Sequence, residues 1–522
     1  MARGTRFGRG DEPHPRLWVY AILVVVVGVA ALLRVLPRWP GLAHEVALPP
    51  LDLFADVRVL MARATSTPLF AIGVVVALLA RAAVLAAVLG FTRRRFELAL
   101  RFYLAALVPA VVASGLDFSG RAVLYAYLIW AGLIVVIITF VALGASAWIG
   151  AESLRAAFAT ALRRRFRFGA LAVYLVALTL IGVVVRRPGE ASQVLVVPIS
   201  GALTVLVARR LSSEPVRISR PISVVVAAVA TVAIVFGITR LGDNPKNAAP
   251  STRRGSLLLV AGVDTSTGSG ALFRFDPETL GFTCGQTYYY SYRGRGRGGP
   301  RGDARCPIRT GARYQKSDTT RPLGQLASAL HAQLAGLPRP VVVVTHSQGA
   351  WIAWKEITTN RDSSVSALVM LAPFNQNLAP YPPSGTNRAG AAGGAAARIV
   401  TDLSRSAGIS KFDPDAPLAR ELQGTPGAVE RLVARPLPPT VRGLAVLARA
   451  DLPLDPRRWP NGLPETCPGW LTHPALPTAA VVTATIDDFL RGDPIPTCPD
   501  WVIAFGHATD AFGAPGPPSY EH

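Results

Sequence analysis

The run Val341–Trp354, VVVVTHSQGAWIAW, decides the reading of the second half of this 522-residue chain. Four consecutive valines are β-branched and apolar, the mark of a short strand buried on both faces. From Gln348 to Thr358 the apolar spacing becomes helical. A strand that turns sharply into a helix strains the backbone at the corner and lifts the corner side chain above the sheet. Here the corner residue is Ser347, which makes it the candidate nucleophile. Such a turn asks for small residues two places before and two places after the serine. Gly349 meets that requirement, whereas Thr345 stands where glycine is common and predicts a slightly more open turn.

Working outward, Ser256–Ala261 (SLLLVA), Thr287–Tyr292 (TYYYSY), Ala367–Ala372 (ALVMLA) and Val441–Ala448 (VRGLAVLA) read as further strands. Arg321–Leu337 and Thr478–Leu490 have helical spacing. Strands alternating with helices predict a mostly parallel sheet covered on both faces. Residues 380–440 interrupt the alternation with a Pro-, Gly- and Ala-rich stretch and two helical segments near 397–408 and 416–434. They read as a cap or lid over a sheet edge, or as a flexible surface excursion.

The first half is of another kind. Hydrophobic residues make up 51% of the chain and charged residues 16%, which excludes a disordered or collagen-like polymer and points to membrane segments. Seven apolar stretches, at about 17–36, 68–90, 98–116, 122–148, 169–185, 191–208 and 222–238, predict a bundle of about seven transmembrane helices over residues 1–240. Pro109 and Pro198 are expected to kink their helices. The formal charge of +22 is concentrated here, with 26 Arg and no Lys against 10 acids before residue 241. Charge placed between apolar stretches speaks for topology rather than nucleic-acid binding. With the N-terminus inside, the inner segments carry 17 Arg and the outer ones six. Basic loops resist translocation, so this asymmetry puts everything after about residue 240 outside the cytoplasm. Arg81, in the middle of the second stretch, reads as a side chain snorkelling to the interface, or else as a transport charge.

Residues 241–256, LGDNPKNAAPSTRRGS, read as a linker, 257–492 as the second domain and 493–522 as a tail. All four cysteines fall beyond residue 280. In an oxidising compartment three pairings are open, of which the local one, Cys284 with Cys306 and Cys467 with Cys498, is expected. No CxxC or HxxxH spacing predicts a metal site, and none is expected. The Arg-Gly segment 293–302 reads as a flexible solvated loop rather than an RNA-binding one.

THSQG on its strand and helix, followed by ALVMLAPFN, resembles the α/β-hydrolase superfamily, in particular its lipases and esterases, over about residues 255–492. The resemblance implies an eight-stranded, mostly parallel sheet and a chain order of nucleophile, acid and histidine. LAVLARADLPLDP then offers Asp451 as the acid, with Asp455 as substitute. LTHP, just before the closing helix, offers His473 as the base, with His507 as competitor. His346 is expected to point away from the site, and His331 to sit on a helix surface. Oxyanion donors are expected from the backbone of Gln348 and, after the first strand, of Val263.

Together these features predict a membrane-anchored, extracytoplasmic serine hydrolase cleaving acyl esters of lipids or cell-envelope components, without a cofactor. Thioesterase and peptidase chemistry use the same groups. Two other classes stand beside it: a catalytically inactive hydrolase-like binding or scaffold module, and a transporter with an attached domain.

Overall fold

A computed structural model describes residues 16–144, 166–186, 192–212, 252–360, 364–410, 412–454, 458–513 and 515. The chain forms two compact units. One comprises residues 1–115, 131–228 and 510–522, the other residues 116–130 and 229–509.

The described helices of the N-terminal region are α1 (Trp18–Leu32), α2 (Leu42–Glu45), α3 (Leu51–Arg63), α4 (Thr67–Val88), α5 (Arg93–Ala122), α6 (Ala126–Gly144), α7 (Phe166–Arg186) and α8 (Val196–Ser212). Three pieces, Thr67–Val88, Arg93–Ala122 and Ala126–Leu143, are long and apolar enough to cross a membrane. Trp18–Leu32, Leu171–Gly182 and Val196–Arg209 are apolar but shorter. The seven spans expected are therefore not supported: three reach the required length, three fall short, and the seventh stretch, 222–238, lies outside the described residues. The third stretch also outruns its apolar limits. Arg93–Ala122 runs as one helix through Pro109, and near its end Arg121 donates to Asp117 one turn away.

Arg81 does not snorkel. It is buried on α4 and held by carboxylates from α2 and α3, the connecting segment that an apolar-run count passes over. Its Nε and Nη2 donate to the two Asp56 oxygens at 2.7 and 2.8 Å. Nη2 also meets Glu45 Oε2, and Nη1 the Glu45 carbonyl, both at 2.7 Å. Asp52 stands 3.9 Å from Nη1 and accepts from the Tyr103 hydroxyl at 2.5 Å. A buried cation costs several kcal/mol unless it is paired, so the acids on α2 and α3 are what permit an arginine inside this bundle.

The second unit is built on six parallel strands: β1 (Ser256–Val260), β2 (Thr287–Tyr289), β3 (Val341–His346), β4 (Val365–Leu371), β5 (Arg442–Val446) and β6 (Glu465–Thr466). Their order is β2-β1-β3-β4-β5-β6. The register aligns Leu258, Val343, Leu368 and Gly443 across the centre. β3 lies wholly buried between β1 and β4, as a valine run must in a sheet covered on both faces. Each such side chain contributes about 1.5–3 kcal/mol relative to exposure. Among the described residues the sheet has six strands rather than eight. β6, only two residues of a Pro-flanked stretch, carries too short a pattern to be read in advance.

Six helices flank or interrupt the sheet: α9 (Leu323–Leu334), α10 (Gly349–Asn360), α11 (Ala391–Ser406), α12 (Pro417–Leu422), α13 (Ala428–Val433) and α14 (Ala480–Arg491). A further one, α15 (Asp500–Ala508), occupies the stretch expected to be a tail. Residues 380–440 form an ordered helical insertion. Arg398 holds Asp415 through two bonds, at 2.8 and 3.0 Å, and Tyr381 donates to the Pro414 carbonyl at 2.8 Å. Hydrogen bonding to Arg398 keeps the Asp415 carboxyl below the usual carboxylate range. The Arg-Gly segment is pinned as well, by Gly298 and Gly299 donating to Gly311 and Ile308.

Candidate active site

Ser347 and Asp451 lie beyond the carboxyl ends of β3 and β5, two strands of one parallel sheet with β4 between them. β3 ends at His346, and the next residue, Ser347, has φ of 55°. That left-handed conformation is costly for a residue with a Cβ and persists only where its surroundings impose it. Ser347 N–H donates to the Leu371 carbonyl of β4 at 2.9 Å, which fastens the corner to the sheet. The backbones crowd together here. A Cβ on Gly349 would lie 2.4 Å from the Val260 carbonyl oxygen, and one on Gly262 would lie 2.9 Å from the Ser347 Cβ. Both positions therefore require glycine.

Thr345 needs no opened turn. It keeps regular parallel register with Val260 on one side and Met370 on the other, and its hydroxyl donates to the Val369 carbonyl at 3.3 Å. The bulk sits in the ladder rather than at the corner.

Asp451 follows β5 and His473 precedes α14. The structure brings them together: His473 Nδ1 lies 2.5 Å from Asp451 Oδ2. The carboxylate is buried and the imidazole mostly so, with side-chain exposures of 8% and 21%. Nδ1 facing a carboxylate leaves Nε2 as the nitrogen free for proton exchange. Phe374 stacks on one face of the His473 ring at 5.6 Å and 8°. A cleft beside the pair is lined by Ala372, Pro373, Phe374, Leu447, Ala448, Asp451 and Leu452. Asp455 lies outside the described residues.

The other histidines divide. His346 does not point away from this region. Its ring packs 4.8 Å from the His473 ring, and its Nε2 donates to the His473 carbonyl at 3.0 Å. Burial, and secondarily the nearby His473, lower its pKa to about 3. His346 is therefore neutral and helps hold the His473 loop in place. His331, half exposed on α9, meets the buried Glu356 at 2.7 Å. His507 lies on α15.

Gln348 is buried, and its side-chain amide donates to the Thr319 carbonyl at 2.7 Å. Val263 lies on the loop after β1, where Asp264 has φ of 60° and donates its N–H to the Thr319 hydroxyl at 3.3 Å. Lys316 pairs with the Asp264 carboxylate at 3.3 Å. Thr319 thus ties together the two segments expected to supply oxyanion donors. Sequence reasoning missed it, since a threonine in KSDTT carries no local sign of a contact with both.

Cys284 is bonded to Cys306 and Cys467 to Cys498, with Cα separations of 5.2 and 5.1 Å. Among the described residues no cluster of three or more His, Cys, Asp or Glu side chains is placed to hold a metal. At this end of the parallel sheet the structure places a serine in a left-handed corner and an imidazole bonded to a carboxylate.

No protein-family model and no curated protein sequence matches the chain. Among solved structures, the N-formylmaleamic acid deformylase of Pseudomonas putida S16 matches at 16% identity, over 40% of this chain and 83% of that one, with a TM-score of 0.20.

Proposed function

We propose that this chain is a membrane-anchored serine hydrolase cleaving acyl esters of lipids or cell-envelope components. The observation that carries the reading is the bond between His473 and Asp451, at the same end of the sheet where Ser347 is strained into a left-handed corner. In this mechanism His473 Nε2 takes the Ser347 proton while Oγ attacks the acyl carbon. Asp451 holds the tautomer and stabilises the imidazolium that forms. Backbone N–H groups of Gln348 and Val263 receive the oxyanion, and one such donor is worth roughly 3–4 kcal/mol in the transition state. His473 then returns the proton to the departing alkoxide. Water, deprotonated by the same imidazole, releases the acid and restores Ser347.

The helices of the N-terminal region serve as the anchor, and their arginine distribution supports a cytoplasmic N-terminus. In this reading residues 257–492 lie outside the cytoplasm. Two disulfides suit that compartment. Residues 380–440 act as a cap.

The test is a fluorophosphonate probe on the full chain in detergent or nanodiscs, with peptide mapping. Labelling at Ser347 is expected, together with ester turnover that Ser347→Ala lowers by roughly a million-fold. A folded protein that neither labels nor turns over any ester would overturn the hydrolase reading.

A further inference from the structure

Arg81 gathers more acid than it can neutralise. Glu45 of α2 and Asp52 and Asp56 of α3 surround it, with side-chain exposures of 2%, 6% and 18%. Among the described residues the cations facing these acids are the guanidiniums of Arg81 and Arg58, and Arg58 Nη2 lies 3.4 Å from His44 Nδ1. Three carboxyls against two guanidiniums leave one negative charge over, in a place where an unbalanced charge is costly. A buried carboxyl escapes that cost by keeping its proton.

The hydrogen bonds indicate which carboxyl keeps it. Asp56 accepts from Arg81 at both oxygens, from Nε at 2.7 Å and from Nη2 at 2.8 Å. Asp52 also accepts at both, from the Leu53 N–H at 2.8 Å and the Tyr103 hydroxyl at 2.5 Å. The Glu45 carboxyl accepts at Oε2 alone, from Arg81 Nη2 at 2.7 Å. Its Oε1 is buried and, among the described residues, has no donor. An oxygen so placed is satisfied when it carries the hydrogen itself. The acceptor is at hand: Asp56 converges with Glu45 on the same Arg81 nitrogen, and the two carboxyls lie within hydrogen-bonding reach of each other.

The surroundings agree with this placement. Burial, and after it the charge of Asp56, push the Glu45 carboxyl well above the usual carboxylate range. Burial raises Asp52 as well, to about 6, which leaves it ionised at neutral pH. The remaining titratable side chains facing the cluster are Tyr20 of α1, His44 of α2, Tyr103 of α5 and Tyr174 of α7. They bring three hydroxyls and one imidazole, and no further carboxylate. Arg81 stands on α4 and Tyr103 on α5, both candidate spans, where ionisable groups are commonly functional.

We propose that the helical unit holds a proton-binding site, in which Glu45 as a neutral acid donates from Oε1 to Asp56, and that this proton exchanges with water by way of Asp56, the most open of the three carboxyls. On release the O–H bond of Glu45 breaks, the proton passes to an Asp56 oxygen and from there to water as hydronium, and the two guanidiniums are left facing three carboxylates. Uptake reverses these steps. The helical unit then takes and gives up a proton as well as anchoring the chain, and neither Ser347 nor its loops take part.

Infrared spectroscopy of the full chain in an alkyl-glycoside detergent, which carries no carbonyl, tests this. At neutral pH the parent should show the C=O stretch of a neutral carboxylic acid, shifting in D2O as the proton exchanges. Glu45→Gln should remove one such band. It keeps an oxygen for Arg81 and puts an N–H where the acid has its O–H, so it should fold, as circular dichroism can verify. Asp52→Asn should keep the band. Asp56→Asn removes the neighbouring charge and should move the ionisation of the band to lower pH, which assigns it independently if Glu45→Gln does not fold. Absence of any neutral-carboxyl band in the parent would overturn the proposal. So would identical spectra of the parent and a folded Glu45→Gln, loss of the band in Asp52→Asn instead, or an ionisation unmoved by Asp56→Asn. A band that never shifts in D2O would overturn the exchange with water.

Discussion

The imidazole of His473 and the carboxylate of Asp451 meet at 2.5 Å although 22 residues separate them in the chain. The loop after β5 and the loop before α14 are brought together because β5 lies inside the sheet and α14 closes against it. The Asp451 carboxylate is buried, while the His473 side chain keeps 21% of its exposure. Several consequences can be measured.

Asp451→Asn should preserve the fold and lower kcat roughly ten-thousand-fold, because the amide favours the wrong imidazole tautomer. Asp455→Asn should remain near the parent. Kinetics on a soluble ester distinguish the two, and the reverse ranking would assign the acid to Asp455.

Gly349→Ala forces a methyl group to within 2.4 Å of a backbone oxygen on β1. A loss of about 1–3 kcal/mol in stability, with lower activity, is expected. Gly324→Ala, in the first turn of α9, meets open space and should be neutral or stabilising by up to ~1 kcal/mol. Thermal unfolding of both variants provides the contrast.

His346 introduces a pH dependence whose sign follows from its lowered pKa of about 3. Between that value and the ordinary value of about 6.5, the unfolded chain binds a proton that the folded chain excludes. This contribution to stability is fully present above about pH 6.5. It is lost as pH falls toward 3, by at most ~1.4 kcal/mol per pH unit. Denaturant titrations across that range should show a shallower acid limb for His346→Gln than for the parent, and parallel limbs would contradict the burial argument.

Arg81→Met leaves Glu45 and Asp52 buried, and Asp56 partly so, without their cation, and should destabilise the helical unit by about 3–5 kcal/mol. Arg81→Lys should restore little of this. A single ammonium cannot hold both Asp56 oxygens while also reaching the Glu45 carbonyl. Unfolding in detergent, followed by circular dichroism, measures both.

What could be read in the sequence was local. Four valines, a serine corner and a glycine are consecutive, and their periodicities declare strand, turn and helix without reference to the rest of the chain. The candidate residues Ser347, Asp451 and His473 were legible in the same way, each from the element that precedes or follows it. Apolar length likewise marked the N-terminal half as helical, although only three of its described helices are long and apolar enough to cross a membrane. What only the tertiary structure decided were contacts between distant segments. The acids on short helices that bury Arg81, the Thr319 bridge between two loops and the packing of His346 on His473 leave no periodic trace. Each depends on which surfaces the folded backbone presses together. That is set by the packing of the whole sheet and bundle, where a single polar residue gains or loses a partner with no change in its neighbours along the chain.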